Sequence, residues 1–118
     1  MATIAYELIP GPPVTVLRVL WEALTETNTD GSAFTSADFA DRSVQVIGTF
    51  GGTTVTIEGS NDGGTTWTTL SDAQGTALSF TSAGMETVGT LAHQIRPFIT
   101  GGTGVNIDVY LLARSNKR

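Results

Sequence analysis

The C-terminal part of the chain carries an apolar residue at every second position over a long stretch. Successive side chains of an extended backbone point to opposite faces, so this spacing places these residues on one face of a strand. The other face is mostly polar, with Leu112 interrupting it. We predict a strand over Val105–Arg114 that is central in its sheet. The apolar positions are Val105, Ile107, Val109, Leu111 and Ala113.

The same alternation recurs upstream in short segments bounded by glycine, proline and asparagine. Closely spaced short strands of this kind are typical of sandwiches and barrels. The pattern predicts an all-β fold, namely an antiparallel, jelly-roll-like β-sandwich with few or no helices. The upstream strands are predicted over residues 42–50, 54–59, 65–70, 77–81, 86–91 and 94–100.

Glycine-rich turns connect the predicted strands. Gly51-Gly52 joins two alternating segments and predicts a β-hairpin, since paired glycines accept the positive φ of tight turns. Residues 101–104 join the last two strands as a second hairpin, and residues 60–64 carry the strongest turn signal in the chain. Because Pro97 has no amide hydrogen, its strand is predicted at a sheet edge or with a bulge.

The segment Val14–Leu24 fits two structures. Leu17, Val19 and Trp21 alternate as in a strand, whereas other apolar residues of the segment fit a helical spacing. Its β-branched content and the prolines before it favour a strand.

The first thirteen residues predict an extended arm. Its three prolines disfavour a helix or a central strand, yet its apolar side chains need a surface to pack on. That surface belongs either to the same chain or to a neighbouring subunit, and we interpret the segment as an intersubunit arm. The chain thus divides into this arm (1–13), a β-sandwich domain (14–114) and a basic tail (115–118). The candidate contact residues of the arm are Ile4, Tyr6, Leu8, Ile9, Pro10, Pro12 and Pro13.

Basic residues are concentrated at the C-terminal end. The net charge is −5, but Arg114, Lys117 and Arg118 fall in the last five residues, so residues 1–113 carry 11 acids against three arginines. An acidic body disfavours nucleic-acid binding. The basic end fits either contact with an acidic partner or a solvated terminus, and these three residues are candidate contacts.

Threonine accounts for 20 of the 118 residues, charged residues make up 14%, and cysteine is absent. Without cysteine, a disulfide scaffold and a cysteine-ligated metal site are excluded. Threonine on the outer face of a sheet favours extended backbone through its branched Cβ, while its hydroxyl stays hydrated. Such uncharged faces suit contact with another protein, since few charges have to lose water.

The N-terminal sequence lacks the basic and apolar regions of a signal peptide. The longest apolar stretch is interrupted by Arg18 and Glu22, so it does not fit a membrane span. We expect synthesis in the cytoplasm and no membrane partner.

Motifs of catalysis are not found. His93 is the single histidine, and Gly59-Ser60-Asn61 resembles a nucleophile elbow until Asp62, where a glycine is required. No phosphate-binding loop ending in Gly-Lys-Ser/Thr occurs. We expect a protein that is not an enzyme and needs no cofactor.

Three weaker possibilities concern metal binding, catalysis and sugar binding. Asn61, Asp62 and Asp72 offer oxygens to a calcium ion, although a plain turn explains them better. Glu58 and Asp108 lie on predicted strands and, facing each other across a sheet, would be a carboxylate pair for glycoside hydrolysis, although solvated outward positions explain them better. Trp67 fits a core position better than a platform for stacking sugars.

The middle and end of the chain resemble a family of small tailed-bacteriophage head proteins, the capsid decoration or cement proteins. The resemblance spans about residues 40–114. The element that runs from Gly-Ser-Asn-Asp-Gly to a tryptophan also occurs in carbohydrate-binding sandwiches, but its combination with Ile-Arg-Pro and a glycine-rich final turn is more specific. The stretches that carry it are Val44–Gly52, Val55–Gly63, Trp67–Leu70, Ile95–Pro97 and Thr100–Gly104.

The resemblance implies a structural role on the virion. A decoration protein binds the outside of the capsid and bridges major capsid protein subunits, commonly as a dimer or trimer. The expected partners are therefore the major capsid protein and further copies of this chain. Two other readings stay open: a carbohydrate-binding module, and another virion component such as a tail, fibre or head-completion protein.

Overall fold

Two stacked sheets make up the computed structural model, which describes residues 3–9, 16–36, 39 and 41–115. The described residues form twelve strands, numbered β1 to β12 along the chain, and contain no helix. The prediction of an all-β sandwich is confirmed. Within these residues, no helix is long and apolar enough to cross a membrane.

One sheet has five strands, all antiparallel. Their order in space is β10–β6–β12–β3–β2, which places β12 at the centre as its alternation predicted. The strands are β2 (Tyr6–Ile9), β3 (Val16–Leu24), β6 (Asp41–Thr49), β10 (Gly84–Thr87) and β12 (Asn106–Arg114).

The other sheet has seven strands, most of them very short. Its main path is β1–β4–β11–β7–β8, with β5 also paired to β11 and β9 to β7. All its pairs are antiparallel except β1 with β4, which run parallel. The strands are β1 (Thr3–Ile4), β4 (Asp30–Gly31), β5 (Phe34–Thr35), β7 (Thr54–Ser60), β8 (Thr68–Thr69), β9 (Ser79–Phe80) and β11 (Gln94–Thr100).

The core fills the space between the sheets. Every second residue of the long strands points into it, which is the physical origin of the alternation in the sequence. Trp21 is its largest fully buried side chain, and its indole N–H donates to the carbonyl of Ser32 at 2.9 Å. Fully buried partners on facing strands include Val44, Val46, Val55, Ile57, Ile95, Ile99, Ile107 and Leu111.

The two predicted hairpins are wrong. Gly51-Gly52 links β6 to β7, but these strands lie in different sheets, so the turn arches from one sheet to the other. Residues 101–104 likewise carry the chain from β11 across to β12. The arches lie side by side, because the Thr103 amide donates to the carbonyl of Gly51 at 2.9 Å.

Pro97 does not mark an edge or a bulge. Its strand, β11, is paired on both sides and keeps continuous register with β7. On the other side β5 stops opposite Ile95 and β4 resumes opposite Phe98, so the neighbouring strand is interrupted beside the proline. The ring of Pro97 fills this interruption and packs against Gly31, where a Cβ would collide with it.

The ambiguous segment is a strand, as its β-branched residues favoured. β3 runs beside the central strand and has a bulge near its end, where Ala23 has a φ of 63° and the register with β12 shifts. The Asp108 carboxylate accepts the Ala23 amide at 2.9 Å and stabilises this conformation. Residues 14 and 15 lie outside the described residues.

Candidate interaction surfaces

One side of the sandwich is formed by the start of the chain. We call Thr3–Ile9 the N-terminal edge. Its first strand, β1, ends the seven-stranded sheet, and its second, β2, ends the five-stranded sheet. A single short segment thus supplies the last strand of both sheets on the same side of the molecule.

The N-terminal edge is packed on the body of its own chain. The Tyr6 ring meets Trp21 and Phe34 edge to face, with centroids 6.2 and 5.4 Å apart. Ser32 donates its amide to the Ile4 carbonyl at 2.8 Å, and its hydroxyl accepts the Tyr6 amide at 3.0 Å. Of the two surfaces considered for the arm, residues 3–9 pack on that of their own chain, and they form two short strands there.

Leu8 is the residue of the N-terminal edge whose backbone faces no paired strand among the described residues. The Tyr6 amide points away from β3 toward Ser32, and backbone groups alternate in direction along an antiparallel strand, so those of Leu8 also point away from β3. Among the described residues, no strand pairs with β2 on that side. The Leu8 side chain is 54% exposed. An open backbone and an exposed apolar side chain therefore coincide there.

The other predicted contact residues are placed differently. Ile4 and Tyr6 are half-buried against the core, and Ile9 is half-buried beside Arg18. Arg114 is exposed and paired with Asp41 at 2.6 Å. The remaining candidates, Pro10, Pro12, Pro13, Lys117 and Arg118, lie outside the described residues.

A cation stacks on aromatic rings on the outer face of the seven-stranded sheet. The Arg96 guanidinium lies 4.3 Å from the Trp67 ring centroid and binds Glu58 at 3.0 Å and Asp30 at 3.5 Å. Trp67 is therefore half-buried on the surface, and its prediction as a core residue is wrong. Its indole N–H donates to the carbonyl of Gly64. One ring face and the polar group of the tryptophan are thus already engaged, which disfavours sugar stacking.

The two strand carboxylates considered for catalysis do not meet. Glu58 lies on the seven-stranded sheet and binds Arg96, whereas Asp108 lies on the five-stranded sheet at the bulge. Among the residues that the structure describes, no three histidine, aspartate or glutamate side chains are grouped to hold a metal ion.

Asp62 organises the turn after β7. One oxygen of its carboxylate accepts the Thr66 amide at 2.9 Å, the Ser60 hydroxyl at 2.7 Å and the Thr65 amide at 3.1 Å. The hydrogen bonds from Thr66 and Ser60 lower the pKa of Asp62 from 3.8 to about 2. The Asn61 side chain accepts the His93 amide. These oxygens serve the turn itself, as the plain-turn reading predicted.

We expect the turn to open in acid only near the lowered pKa of Asp62. A carboxyl whose pKa is lowered on folding stabilises the fold above its unfolded value, 3.8, and this stabilisation is lost as the pH falls through about 2. Amide NMR shifts of Thr65 and Thr66 should therefore titrate with a midpoint near 2. In the Asp62→Asn variant that transition should disappear, and a wild-type midpoint near 3.8 would contradict the role of these hydrogen bonds.

The outer face of the five-stranded sheet, which we call the five-strand face, is more apolar than the outer face of the seven-stranded sheet. Two neighbouring rows cross it, in register from β2 to β10. Leu112 and Met85 are 43% and 60% exposed and line a shallow depression of about 300 Å³. The rows are Glu7, Leu20, Tyr110, Gln45, Met85 and Ile9, Arg18, Leu112, Ser43, Thr87.

The five-strand face was not among the predicted contacts. Its signal in the sequence was Leu112, the apolar residue that breaks the polar face of the last strand. Met85 carried no such signal, because its row is defined by pairing with β6.

Solved structures provide the comparisons. The crystal structure of the SPBc2 prophage-derived protein YomS matches with a TM-score of 0.65 and 14% identity, covering 90% of this chain and 100% of that one. The crystal structure of protein NMB1881 from Neisseria meningitidis matches with a TM-score of 0.43 and 15% identity, over 93% and 82% of the two chains. The sequence matches no protein-family model and no curated protein sequence. The chain therefore shares the fold of a prophage-derived protein.

Proposed function

We propose that this protein is a bacteriophage virion component that binds the outside of the capsid and stabilises it by bridging major capsid protein subunits. The observation that carries the proposal is the N-terminal edge, which ends both sheets on one side and, among the described residues, has no strand paired with β2 on the side of the Leu8 backbone. The fold shared with a prophage-derived protein supports a phage origin.

Strand β2 of the N-terminal edge is placed to bind another protein through its own backbone groups. A strand of the partner can pair with β2 at Leu8 and form hydrogen bonds with its amide and carbonyl, while a pocket on the partner takes the Leu8 side chain. Such contacts hold a small protein on a large one without a deep cleft. In this proposal the protein acts by adding interface area, it is made in the host cytoplasm, and it needs no cofactor.

The outer face of the seven-stranded sheet supports close approach to another protein. Its central strands β7 and β11 present Thr54, Thr56 and Thr100 outward. The carboxylates of Glu58 and Asp30 are both paired with Arg96. Few charged groups have to be desolvated when such a surface is covered by a partner. Among the alternatives, the carbohydrate-binding interpretation came from the element that runs from Gly-Ser-Asn-Asp-Gly to Trp67, and one face of the Trp67 ring is covered by Arg96.

We expect purified protein to sediment with capsids that lack decoration, and the Leu8→Asp variant to bind at least about tenfold more weakly. The reason is that an aspartate removes the apolar anchor and places a charge against the partner strand, a loss of about 1.4 kcal/mol or more. The measurement is co-sedimentation at micromolar protein with capsids at fixed ionic strength.

Leu91→Asp is the matched control for this experiment. Leu91 is 65% exposed, lies outside the N-terminal edge and undergoes the same change of side chain. It should bind like the wild type. Wild-type protein that stays in the supernatant would contradict the proposed function, and equal losses in the two variants would contradict the role of the edge.

A further inference from the structure

The five-strand face has an apolar centre and oppositely charged ends. Its middle strand presents Tyr110 and Leu112 outward, where most sheets exposed to water carry polar residues. Leu20 beside them is 91% buried, and Met85 extends the apolar surface to the edge. The exposed apolar side chains are therefore Leu112 and Met85, with Tyr110 half-buried. The polar side chains of β6 lie between Met85 and the other two. Exposed apolar side chains grouped in this way are a candidate interaction site.

The charges along β3 have an order. Arg18, Leu20 and Glu22 follow one another at every second position, so one positive and one negative side chain flank an apolar one. Within the described part of the chain, neither charged group has a hydrogen-bond or ion-pair partner. On the neighbouring strand both charged side chains already have partners within the chain: Arg114 is paired with Asp41, and Asp108 accepts the Ala23 amide.

We propose that the five-strand face binds a second copy of this chain, related by a two-fold axis that runs along the row from Glu7 to Met85. Arg18 and Glu22 lie about 6.6 Å to either side of that row, because each residue of a strand adds about 3.3 Å. Rotation by 180° about the row exchanges the two positions. Arg18 of each copy therefore faces Glu22 of the other, and Leu20 and Tyr110 lie on their own counterparts. The same rotation places Leu112 of each copy opposite Asp108 of the other.

The charge order selects this arrangement over the alternatives. Stacking the two faces with their strands parallel, about an axis along β12, would place β3 over β6 and Arg18 opposite the uncharged Ser43, so Arg18 would gain no opposite charge. An axis along β3 would place Arg18 on Arg18, which is repulsive. The two-fold arrangement has one like-charge contact, between the two copies of Glu7. That contact lies at the exposed rim of the face, where water and salt screen it.

The area of the face fits a reversible dimer. Three strands of nine residues and two of four cover about 550 Å² on each copy, or about 1,100 Å² in total, at about 4.8 Å between strands and about 3.3 Å per residue. This area is just above the roughly 1,000 Å² expected of a specific interface.

The two-fold axis also determines where the two N-terminal edges lie. Because it runs from β10 toward β2, it places both N-terminal edges at the same end of the dimer.

The test is reversal of the two charges, separately and together, in the isolated full chain. In a two-fold interface residue 18 meets residue 22 of the other copy twice, so Arg18→Glu or Glu22→Arg alone creates two like-charge contacts. Each single variant should raise the dimer dissociation constant at least about tenfold. The double variant restores both pairs with their signs exchanged and should return the constant to near the wild-type value. Sedimentation equilibrium measures it.

Two controls separate this contact from general charge effects. Glu86→Arg makes the same charge change as Glu22→Arg but lies on β10 between outward positions, so its side chain is on the opposite face from Met85. It should dimerise like the wild type. Since the chain has no cysteine, Gln45→Cys on the axis row should be crosslinked between copies by a short bismaleimide, whereas Ser79→Cys on the other sheet should not.

Several outcomes would overturn the inference. These are a wild-type monomer up to millimolar concentration, a dimer unaffected by either single reversal, no rescue in the double variant, or crosslinking through Ser79→Cys instead. Circular dichroism melting of every variant confirms that the monomer is folded, since both charged residues are exposed. The measurements need no capsid, so failure of capsid binding and failure of dimerisation are read independently.

Discussion

Replacing Trp21 with alanine should lower the free energy of unfolding by about 3–5 kcal/mol, the usual cost of removing a buried aromatic side chain. Trp21 is fully buried and hydrogen-bonded to Ser32, and it supports the Tyr6 ring. The substitution therefore leaves a cavity in the core and also removes the surface on which the N-terminal edge packs. Urea unfolding followed by circular dichroism measures the loss. Hydrogen exchange of the Tyr6 amide should become faster.

Trp67→Ala is the control for this substitution. The Trp67 ring is half-buried outside the core and stacks on Arg96, an interaction of about 0.5–1 kcal/mol at exposed sites. It should cost much less than Trp21→Ala and leave the exchange of Tyr6 unchanged. If the two variants lost similar stability, Trp21 would not hold the place in the core that we assign to it.

Replacing Gly48 with alanine should destabilise the protein by about 3 kcal/mol or more. Gly48 has a φ of 128°, which L-residues rarely adopt, and a Cβ there would collide with the backbone oxygen of Asn106. That oxygen cannot move aside easily, because Asn106 and Ile107 are held in register with Thr49 and Gly48. Chemical unfolding against the wild type measures the effect.

Gly52→Ala isolates the contribution of the collision. Gly52 has a φ of 87°, but nothing lies within 4 Å of the position of its missing Cβ. Its substitution should cost about 1–2 kcal/mol, from backbone strain alone. Equal losses in the two variants would mean that strain, and not the contact with Asn106, sets the effect at Gly48.

The long strands were predictable because their information is local. β11 occupies the predicted residues 94–100, and β12 differs from its prediction at one end by a single residue. Burial of alternate side chains leaves a period of two in the sequence wherever a strand is long enough to show it. The two-residue strands β4, β5 and β8 show no period, so their pairing was not visible before the structure.

Strand pairing was not predictable from the same pattern. An alternating strand has one buried face whether the next strand lies beside it in the same sheet or faces it across the core. Gly51-Gly52 allows both a hairpin and an arch, so the turn residues did not distinguish them. Likewise the placement of Pro97 in a central strand depends on the gap between β4 and β5, two segments far from it in the chain.

The candidate interaction surfaces were likewise predicted only in part from the sequence. Apolar residues near the start of the chain predicted a contact segment, and the side chain of Leu8 within it is exposed. The packing of Tyr6 on Trp21 turned the rest of that segment into the edge of its own sandwich. The five-strand face was not predictable, because three different strand pairs place Met85, Tyr110 and Leu20 in one row, and the sequence does not show their register.

Side-chain periodicity within single segments is thus enough to predict an all-β sandwich, the course of its long strands and their buried faces. Which strands are neighbours, which strands lie at the sheet edges, and how charged and apolar residues are arranged across the outer faces became visible only in the folded chain. Those properties depend on contacts between residues far apart in the chain, and no local pattern encodes them.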